Sequence, residues 1–561
     1  MILSMINKTM QEKENLNQYI QDSVRKNWEE LSLTDFNGVS FQYRDLARKI
    51  EKLHILFEAA GIVPGDKISI CGKNSAQWAV AFFATLTYGA VAVPILHEFK
   101  SDNIRHIVNH SESKLFFVDL AIWENLDGSS MPMLEGAILI SDYSVLYSKN
   151  DELTHARETL NELFGKRYPE RFTKENVKYY QPKSEELALI NYTSGSTGFS
   201  KGVMIPYRAL TSNIRFCLDN LQFLKRGDSI VCMLPMAHMY GLAVELIHPF
   251  VKGCHVYFLT RIPSPKIIMD AFATVKPKLI VTVPLIIEKI IRTKIFPLLD
   301  KPLMKLLLKV PFVDDHLLGK IKDKLTEAFG GNLKEIIIGG AALNKDVEAF
   351  LLKIGFPATV GYGMTECAPL ISYVESSRTK LSSCGQVVDR MTVKVKSDNP
   401  EVVPGELWVK GANVMLGYYK NKDATDSIFE DGWMNTGDLC TVDEDGYIFI
   451  HGRSKNMILG PSGQNIYPEE IEQVLNNLPY INESLVISDE NKLVALVYPD
   501  IENGQKQGLT YNDLETIMQD NIASLNKELP PYSQISRVRV YHEEFEKTPK
   551  RSIKRYLYQH N

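Results

Sequence analysis

The chain has 561 residues, of which 45% are hydrophobic and 23% are charged, so it has the material for a large core. A chain of this length divides into about three or four folding units. The net charge of −5 argues against a nucleic-acid partner, because phosphate backbones are usually bound by clustered Lys and Arg. The seven cysteines are scattered and form no CxxC pair, which argues against a disulfide framework and a zinc site and predicts a reducing, cytoplasmic location.

Neither a signal peptide nor a membrane span is expected. The N-terminal segment MILSMINKTMQEKENLNQ has no basic stretch followed by an apolar run. The uncharged run from Trp78 to Leu96 is long enough to span a membrane. However, Gly89 and Pro94 interrupt it, and its second half is rich in strand-forming Val and Ile. We therefore predict a buried helix, a turn and a buried strand.

The opening third of the chain alternates between helix and strand patterns. Apolar residues recur at helical spacing at Leu46, Ile50, Leu53 and Phe57. Gly61 follows as a stop, and GDKISICG predicts a short strand. The segment SDNIRHIVNHSESKLFFVD repeats the pattern, with Ser101 as the expected N-cap. This alternation predicts an α/β fold with parallel strands.

The later pattern continues the α/β layout and then changes. A charged, linker-like segment is expected from about residue 151 to 186. The strand candidates KLIVTVP, EIIIGG and ATVGYG each end in Pro or Gly, and ligands of open α/β sheets bind where parallel strands end. From about residue 382, short strands and tight turns predict a small antiparallel subdomain. After Arg453 we expect a compact tail of mixed helix and strand.

The loop YTSGSTGFSKGV follows the apolar strand LALIN and is suited to hold phosphate. Its glycines let backbone N–H groups turn toward an anion, its hydroxyls donate hydrogen bonds, and Lys201 adds a charge. The register differs from that of the P-loop, because Ser200 precedes Lys201 and Gly202 follows it. A flexible surface linker is the alternative, and the apolar strands on both sides disfavour it.

This loop resembles the signature of the adenylate-forming superfamily, which comprises acyl-CoA synthetases, luciferases and the adenylation domains of peptide synthetases. Six more motifs follow in the superfamily's order: MAHMYG, GGAAL, GYGMTECAP, NTGDL, HGRSKNMI and NIYPEEIE. The region from VPLIIEKI to GGAAL is most similar to the long-chain acyl-CoA synthetase branch. The resemblance implies a large N-terminal domain over residues 1–454, with two α/β subdomains and a small β-rich one, and a small mobile α+β domain over residues 455–561.

The resemblance also implies a reaction. A carboxylate attacks the α-phosphorus of ATP, expels pyrophosphate and forms an acyl-adenylate, and the thiol of CoA then displaces AMP. The implied substrates are medium- to long-chain fatty acids, with ATP, Mg²⁺ and CoA. Two anions meet in the first step, so the site needs cations and N–H donors aimed at the phosphates.

Each motif carries an implied nucleotide contact. The β- and γ-phosphates are assigned to Thr193, Ser194, Gly195, Ser196, Thr197, Gly198 and Lys201, with Thr197 also at the metal. The adenine pocket is assigned to Gly339, Gly340, Ala341, Tyr362 and Gly363. Thr365 binds the α-phosphate and Glu366 binds Mg²⁺, roles that suit a neutral donor and a hard oxygen ligand. The alternative for Glu366 is a carboxylate at a helix N-terminus.

Further positions match the ribose site, the gate and the hinge. Asp438 and Arg453 would hold ribose, with a turn cap and a surface ion pair as the alternatives. His238 matches the gate beside the substrate carboxylate, although a lone histidine in an apolar context is often a core residue. Lys455 matches the hinge, and Gly463 matches the glycine past which pantetheine threads, with a turn glycine as the alternative. The acyl pocket, or simply core, is the expected place of Met239, Tyr240, Leu242 and Ala243.

The C-terminal tail departs from the superfamily pattern. Where the family has a lysine that contacts the α-phosphate and the substrate carboxylate, FEKTPKRSIKRYLY places Ser552. Lys550 and Lys554 lie two residues to either side, and in an extended segment they would point the same way as residue 552. We favour Lys554 as the displaced lysine, with Lys550 as the alternative. If both only form a solvated basic face, adenylation is slow.

Other functions compete with a fatty acyl-CoA synthetase. One is an aryl-acid or acyl-carrier-protein ligase of the same superfamily, and another is a degenerate adenylate-binding protein with weak turnover. The Leu/Lys-rich stretch over residues 301–325 is either a peripheral membrane contact or a packed helical hairpin, which we favour.

Overall fold

The computed structural model describes residues 15–193, 201–260, 264–299, 301–302, 313–460, 464–490, 492–548 and 552–559. The chain divides into two compact units. The first unit contains residues 1–193, 200–392 and 410–427, and the second contains residues 194–199, 393–409 and 428–561. Within the described ranges, no helix has both the length and the apolar character needed to cross a membrane.

The strands are labelled in chain order. Along the described residues they are β1 Leu31–Asp35, β2 Ser40–Gln42, β3 Lys67–Cys71, β4 Val91–Ile95, β5 Ser113–Val118, β6 Gly136–Leu139, β7 Val145–Ser148, β8 Leu187–Thr193, β9 Lys201–Pro206, β10 Ser229–Cys232, β11 His255–Phe258, β12 Leu279–Thr282, β13 Glu335–Ile338, β14 Ala358–Val360, β15 Tyr362–Gly363, β16 Leu370–Tyr373, β17 Gln386–Val387, β18 Met391–Lys396, β19 Gly405–Gly411, β20 Gly417–Tyr418, β21 Phe429–Glu430, β22 Trp433–Val442, β23 Ile448–Arg453, β24 Ile458–Leu459, β25 Asn465–Ile466, β26 Ile481–Asp489, β27 Lys492–Pro499 and β28 Ile535–Val540.

Helices alternate with these strands through most of the chain. The α-helices are Leu16–Lys26, Tyr43–Ala59, Ala76–Tyr88, Ser101–Ser111, Leu120–Trp123, Asp151–Glu158, Leu160–Arg167, Tyr207–Asn220, Met239–Gly241, His248–Lys252, Pro265–Val275, Pro284–Ile290, Phe296–Leu299, Val313–Ala328, Lys345–Lys353, Lys422–Asp426, Pro468–Leu475, Ile501–Lys506 and Tyr511–Glu528. Two π-helical segments, Leu242–Ile247 and Ile291–Ile295, continue short α-helices.

An eight-stranded sheet is the centre of the first unit, in the order β20-β9-β8-β4-β3-β5-β6-β7. Its inner strands β8, β4, β3, β5 and β6 are parallel, and β7, β9 and β20 join antiparallel. The predicted buried helix, turn and strand over residues 78–96 are confirmed as Ala76–Tyr88 and β4. Gly89 makes the turn with φ +88°, and a Cβ there would lie 2.7 Å from the ring of Tyr180.

Three smaller sheets complete the first unit. Strands β10, β11 and β1 are parallel with β2 antiparallel at the edge, β12, β13 and β14 are parallel, and β15, β16 and β17 are antiparallel. The core beside β12–β14 contains Ile280, Ile336, Val347 and Phe272. The predicted α/β fold is therefore confirmed, and the Pro- and Gly-terminated strands β12, β13 and β14 pair side by side.

Two local predictions for this unit are wrong. The expected linker over residues 151–186 begins with the helices Asp151–Glu158 and Leu160–Arg167, because Leu153, Ala156 and Leu160 form a buried stripe among the charges. Ser101 is the first helical residue and not the N-cap. Lys100 keeps an extended backbone and takes the cap position.

The second unit combines an antiparallel sheet with an α+β tail. Its first sheet has the order β18-β19-β22-β21, with β23 also paired to β22, as the turn-rich sequence predicted. In the tail, β27 pairs antiparallel with β26 and parallel with β28. Helices Pro468–Leu475 and Tyr511–Glu528 bury apolar residues against this sheet. The domain boundary at residues 454 and 455 stays a prediction.

The Leu/Lys-rich stretch is described only in part. Residues 303–312 lie outside the described residues, and helix Val313–Ala328 follows. Leu318 and Leu325 of this helix are buried in the first unit's core. The hairpin hypothesis for the whole stretch stays a prediction.

Candidate active site

The predicted phosphate loop is closed at its base by two paired strands. Strands β8 and β9 are antiparallel, with Thr193 opposite Lys201 and Tyr192 opposite Gly202. This register holds the two ends of the loop beside each other. The assignments of Ser194, Gly195, Ser196, Thr197 and Gly198 lie outside the described residues and stay predictions.

The predicted metal ligand lies beside these strands. Glu366 is 8% exposed, and its Oε1 accepts a hydrogen bond of 2.9 Å from the hydroxyl of Tyr418. Tyr418 belongs to β20, which pairs with β9, and the Nζ of Lys201 lies 4.9 Å from the Tyr418 ring centroid. The structure therefore brings Thr193, Lys201, Tyr418 and Glu366 together.

Tyr418 is a site residue that the sequence analysis missed. It lies outside the seven motifs and 52 residues from Glu366. The pairing of β20 with β9 brings its ring to Lys201, while its hydroxyl reaches Glu366. The helix-terminus alternative for Glu366 has little physical support, because the 3₁₀ turn Thr365–Cys367 has only three residues and a correspondingly small dipole.

Two of the Gly-rich motifs lie where neighbouring strands end. Gly339 follows β13 and its N–H donates to the carbonyl of Thr282 at 3.1 Å, while the N–H of Gly361 donates to the carbonyl of Ile338 at 2.9 Å. Gly339 is buried, whereas Gly340, with φ +88°, and Ala341 are exposed.

The aromatic candidate for adenine is held in the next sheet. Tyr362 pairs with Ser372 across β15 and β16 and is half-buried. A side chain at Gly363 would collide with the carbonyl of Pro369, so the position requires glycine. Thr365, also half-buried, follows directly. The structure thus places Tyr362 and Gly363, predicted for adenine, and Thr365, predicted for the α-phosphate, on one continuous segment after β14.

The MAHMYG loop contacts the GGAAL motif. The hydroxyl of Tyr240 donates to the carbonyl of Ile337 at 3.0 Å, and its ring lies against Gly339, where a Cβ would come within 3.1 Å. Half-buried His238 is the N-cap of the helix that begins at Met239, and its carbonyl accepts from Leu242 at 2.9 Å. Met239, Leu242 and Ala243 are buried, and their role in an acyl pocket stays a prediction.

A buried glutamate lies beside this loop. The Oε2 of Glu245 accepts from the backbone N–H groups of Leu234 at 2.9 Å and Met233 at 3.2 Å. Burial raises the pKa of Glu245 to about 8, against the opposing effect of these two hydrogen bonds. The side chain is fully buried, so we infer that it is mostly neutral at pH 7.

The ribose candidates are paired within the second unit. Asp438 on β22 lies opposite Arg453 on β23, and the Nε of Arg453 lies 2.8 Å from Oδ1 of Asp438. Arg453 also donates to the carbonyl of Thr436 at 3.2 Å. Lys455 follows in a 3₁₀ turn. Gly463 lies outside the described residues and stays a prediction.

The described parts of the C-terminal tail, residues 546–548 and 552–554, pair antiparallel as the two arms of a hairpin. The N–H of Thr548 donates to the carbonyl of Ser552, and the N–H of Lys554 donates to that of Glu546, each at 2.8 Å. The Nζ of Lys554 lies 2.5 Å from Oε1 of Glu546, and this hydrogen bond raises the pKa of Lys554. Lys550 lies outside the described residues.

Glu366 was predicted to bind Mg²⁺, and its surroundings can be compared with the way proteins hold this ion. In the described parts of the chain, no cluster of three or more His, Cys, Asp or Glu side chains is arranged to hold a metal. Glu366 instead supplies one oriented carboxylate beside the phosphate loop. Mg²⁺ is usually held in this way, by one or two carboxylates and the phosphates of its substrate, so the donor set fits.

The chain matches known families over most of its length. A family model described as AMP-binding enzyme matches residues 20–419, and one described as AMP-binding enzyme C-terminal domain matches residues 455–560. The long-chain-fatty-acid–CoA ligase FadD15 of Mycobacterium bovis is 28% identical over 509 residues, covering 84% of this chain and 80% of the relative. The probable 4-coumarate–CoA ligase 1 of Dictyostelium discoideum is 27% identical over 496 residues, covering 84% and 82%.

A solved structure shares the fold. The anthranilate CoA ligase AuaEII in complex with anthranoyl-AMP superposes with a TM-score of 0.76, covering 97% of this chain and 96% of that one. The two sequences are 18% identical, so this likeness concerns the fold alone.

Tyr418→Phe is expected to weaken Mg²⁺-dependent ATP binding about tenfold, because partners that orient a ligating carboxylate are typically worth ten- to a hundredfold in metal affinity. Calorimetric titration of ATP with and without Mg²⁺ measures this. Tyr419→Phe is the matched control, since its hydroxyl donates to Glu112 and not to Glu366. Equal effects of the two variants would contradict the role of Tyr418.

Glu245→Gln is expected to change how stability depends on pH. The folded-state pKa of Glu245, about 8, lies above the ordinary 4.5, so the neutral carboxyl stabilises the fold at low pH and this stabilisation is lost as pH rises through 8. Gln stays neutral, so the variant gains about 1.4 kcal/mol relative to the wild type per pH unit between about pH 5 and 8. Unfolding in urea across this range measures the difference, and parallel pH profiles would refute it.

Proposed function

The chain belongs to the AMP-binding enzyme family, and from this premise we propose that it is an ATP-dependent acyl-CoA synthetase for medium- to long-chain fatty acids. Its reaction class is acid–thiol ligation. A fatty acid, ATP and CoA give acyl-CoA, AMP and pyrophosphate through an acyl-adenylate. The observation that carries the proposal is the convergence of Thr193, Lys201, Tyr418 and Glu366 beside the predicted phosphate loop.

The anion-binding half of the site accounts for the first step. Lys201 and the N–H groups of the loop attract the phosphates of ATP, and this charge is needed because the attacking carboxylate is itself an anion. Glu366, oriented by Tyr418, would hold Mg²⁺. When bound, the metal neutralises phosphate charge. Thr365 then donates to the α-phosphate, where the new acyl–phosphate bond forms and pyrophosphate leaves.

The nucleoside is proposed to bind through small residues, an aromatic ring and a carboxylate. Gly339, Gly340 and Ala341 form the floor under adenine, because missing or small side chains let the base approach the backbone. Tyr362 stacks on the base through its ring face. Asp438 accepts from the ribose hydroxyls, and Arg453 holds that carboxylate through the 2.8 Å ion pair.

The choice of a fatty acid is supported by a relative's name and by the loop after β10. FadD15 is named a long-chain-fatty-acid–CoA ligase. Met239, Leu242 and Ala243 are buried apolar residues that follow His238, the proposed neighbour of the reacting carboxylate. An aryl acid is the second candidate, because another relative is named a probable 4-coumarate–CoA ligase.

We assign the second half-reaction to a rotation at Lys455. After adenylation, the domain over residues 455–561 turns about this hinge, and the thiol of CoA passes Gly463 to attack the acyl carbonyl. Hinges need only a few residues that absorb a backbone rotation. Transfer to an acyl-carrier protein in place of CoA is the alternative for the acceptor.

An acid panel tests the proposed function. Purified protein with Mg²⁺ and ATP is given fatty acids from about C6 to C18, 4-coumarate and anthranilate, and exchange of labelled pyrophosphate into ATP is measured. We expect exchange with the fatty acids and thioester formation when CoA is added. Exchange with the aryl acids alone would show that the substrates are aryl acids and not fatty acids. ATP binding without any exchange would favour a degenerate binding protein.

Lys554→Ala is expected to slow pyrophosphate exchange about a hundredfold, because it removes a cation that stabilises the charge on the reacting phosphate in the transition state. Thioester formation from supplied acyl-adenylate should be unchanged, since the lysine serves only the first step. Lys547→Ala is the control, because Lys547 lies in the same hairpin and its partner Glu483 is far less exposed than Glu546, the partner of Lys554. If only Lys550→Ala slows exchange, the assignment passes to Lys550; if neither does, both assignments are wrong.

A further inference from the structure

The loop that carries His238 is held by side chains from three separate parts of the chain: half-buried Asn74, buried Asn191 and buried Glu245. It runs over residues 233–237, between the end of β10 and the N-cap residue His238. Loops normally lie on the surface, where water satisfies their backbone. Most of this one is buried, so protein groups must satisfy its backbone N–H and carbonyl groups.

Glu245 holds the first part of the loop. Its Oε2 accepts from two successive backbone N–H groups, at Met233 and Leu234. Glu245 lies in the π-helical segment Leu242–Ile247, a rare geometry that is frequent at functional sites. The segment follows His238 after a single short turn, Met239–Gly241. One carboxyl therefore fastens the helix after His238 to the loop before it.

Two asparagines hold the rest of the loop. Asn74, between β3 and the helix Ala76–Tyr88, donates to the carbonyl of Leu234 at 2.7 Å and accepts from the N–H of Met236 at 3.0 Å. Asn191 on β8 donates to the carbonyl of Ala237 at 2.8 Å. Asn191 is two residues before Thr193, so the same strand leads into the phosphate loop.

This arrangement leaves the loop one conformation. A buried N–H or carbonyl without a partner costs more than an ordinary hydrogen bond contributes, so any shift of the loop must break several of these contacts together. The residue that the loop delivers is His238. Asn74 and Asn191 fix the position of His238 relative to the central sheet, and Glu245 fixes it relative to the helix that follows.

We propose that Glu245, Asn74 and Asn191 are positioning residues that set His238 against the carboxylate of the substrate. The inference rests on the proposed function, in which His238 is the neighbour of that carboxylate. None of the three touches substrate, and each acts through the backbone of residues 233–237. A displacement of about 1 Å at a reacting centre is enough to cost a hundredfold in rate.

A double-mutant cycle with His238 tests this proposal. Glu245→Ala and Glu245→Gln are made in the wild type and in His238→Ala, and kcat/KM is measured for fatty-acid-dependent pyrophosphate exchange. In the wild-type background we expect Ala to reduce kcat/KM about ten- to a hundredfold. Gln keeps an acceptor for both N–H groups and should stay within about threefold. In the His238→Ala background the Ala effect should shrink to below about twofold, because coupled residues are not additive.

The control is a buried glutamate that binds a loop elsewhere. Glu335 accepts from the backbone N–H of Ser376 at 2.8 Å. Glu335→Ala should lower the melting temperature but change kcat/KM equally in both backgrounds. If Glu245→Ala does not fold, Asn74→Ala replaces it in the same double-mutant cycle.

The outcomes separate the inference from the function beneath it. Equal losses for Glu245→Ala in both backgrounds, or no rescue by Gln, would overturn the positioning role while leaving the synthetase intact. If the wild type exchanges no pyrophosphate, or if His238→Ala exchanges as fast as the wild type, the role of His238 fails first and the inference falls with it.

Discussion

The antiparallel pairing of β8 with β9, and of β9 with β20, is the constraint on which the candidate site depends. It sets Thr193 opposite Lys201 and places the ring of Tyr418 beside Lys201. Tyr418 in turn donates to Glu366, which enters from the segment after β14. A one-residue slip of either pairing would turn these side chains to the other face of the sheet, because side chains alternate along a strand. The relative positions of the ends of the phosphate loop, of Lys201 and of Tyr418, the partner of Glu366, therefore depend on the register of these two strand pairs.

The two acidic side chains Glu245 and Glu366 differ in their expected charge. Glu245, close to the predicted carboxylate site, has its pKa raised to about 8 and so adds little negative charge near neutral pH. That matters because a second buried carboxylate would repel both ATP and the acid that attacks it. Glu366 is the acidic side chain that the Tyr418 hydroxyl holds beside Lys201. Glu366, the proposed Mg²⁺ ligand, and Glu245, which burial keeps mostly neutral, therefore have different roles in the first unit.

The C-terminal tail has Ser552 where the family has a lysine, and the fold of the tail accommodates this difference. Arg555 is bound to both carboxylate oxygens of Glu472 and to the carbonyl of Val486, so the hairpin is anchored just after Lys554. Lys554 is itself paired with Glu546, whose side chain is 60% exposed. Ion pairs this exposed contribute about 0–1 kcal/mol, so the proposed role of Lys554 at a phosphate would require the loss of only a weak pair with Glu546.

What the sequence determined by itself was local pattern. The helix, turn and strand over residues 78–96 followed from hydrophobic length and from Gly89, and seven ordered motifs indicated the family because each is a short contiguous segment. The geometry of the tail did not follow from local pattern, because hydrogen bonds from Thr548 to Ser552 and from Lys554 to Glu546 pair its two described arms. Tyr418, Asn74 and Glu245 were invisible in sequence. Their roles depend on partners as far as 162 residues away, which strand register and buried hydrogen bonding bring together only when the chain is folded.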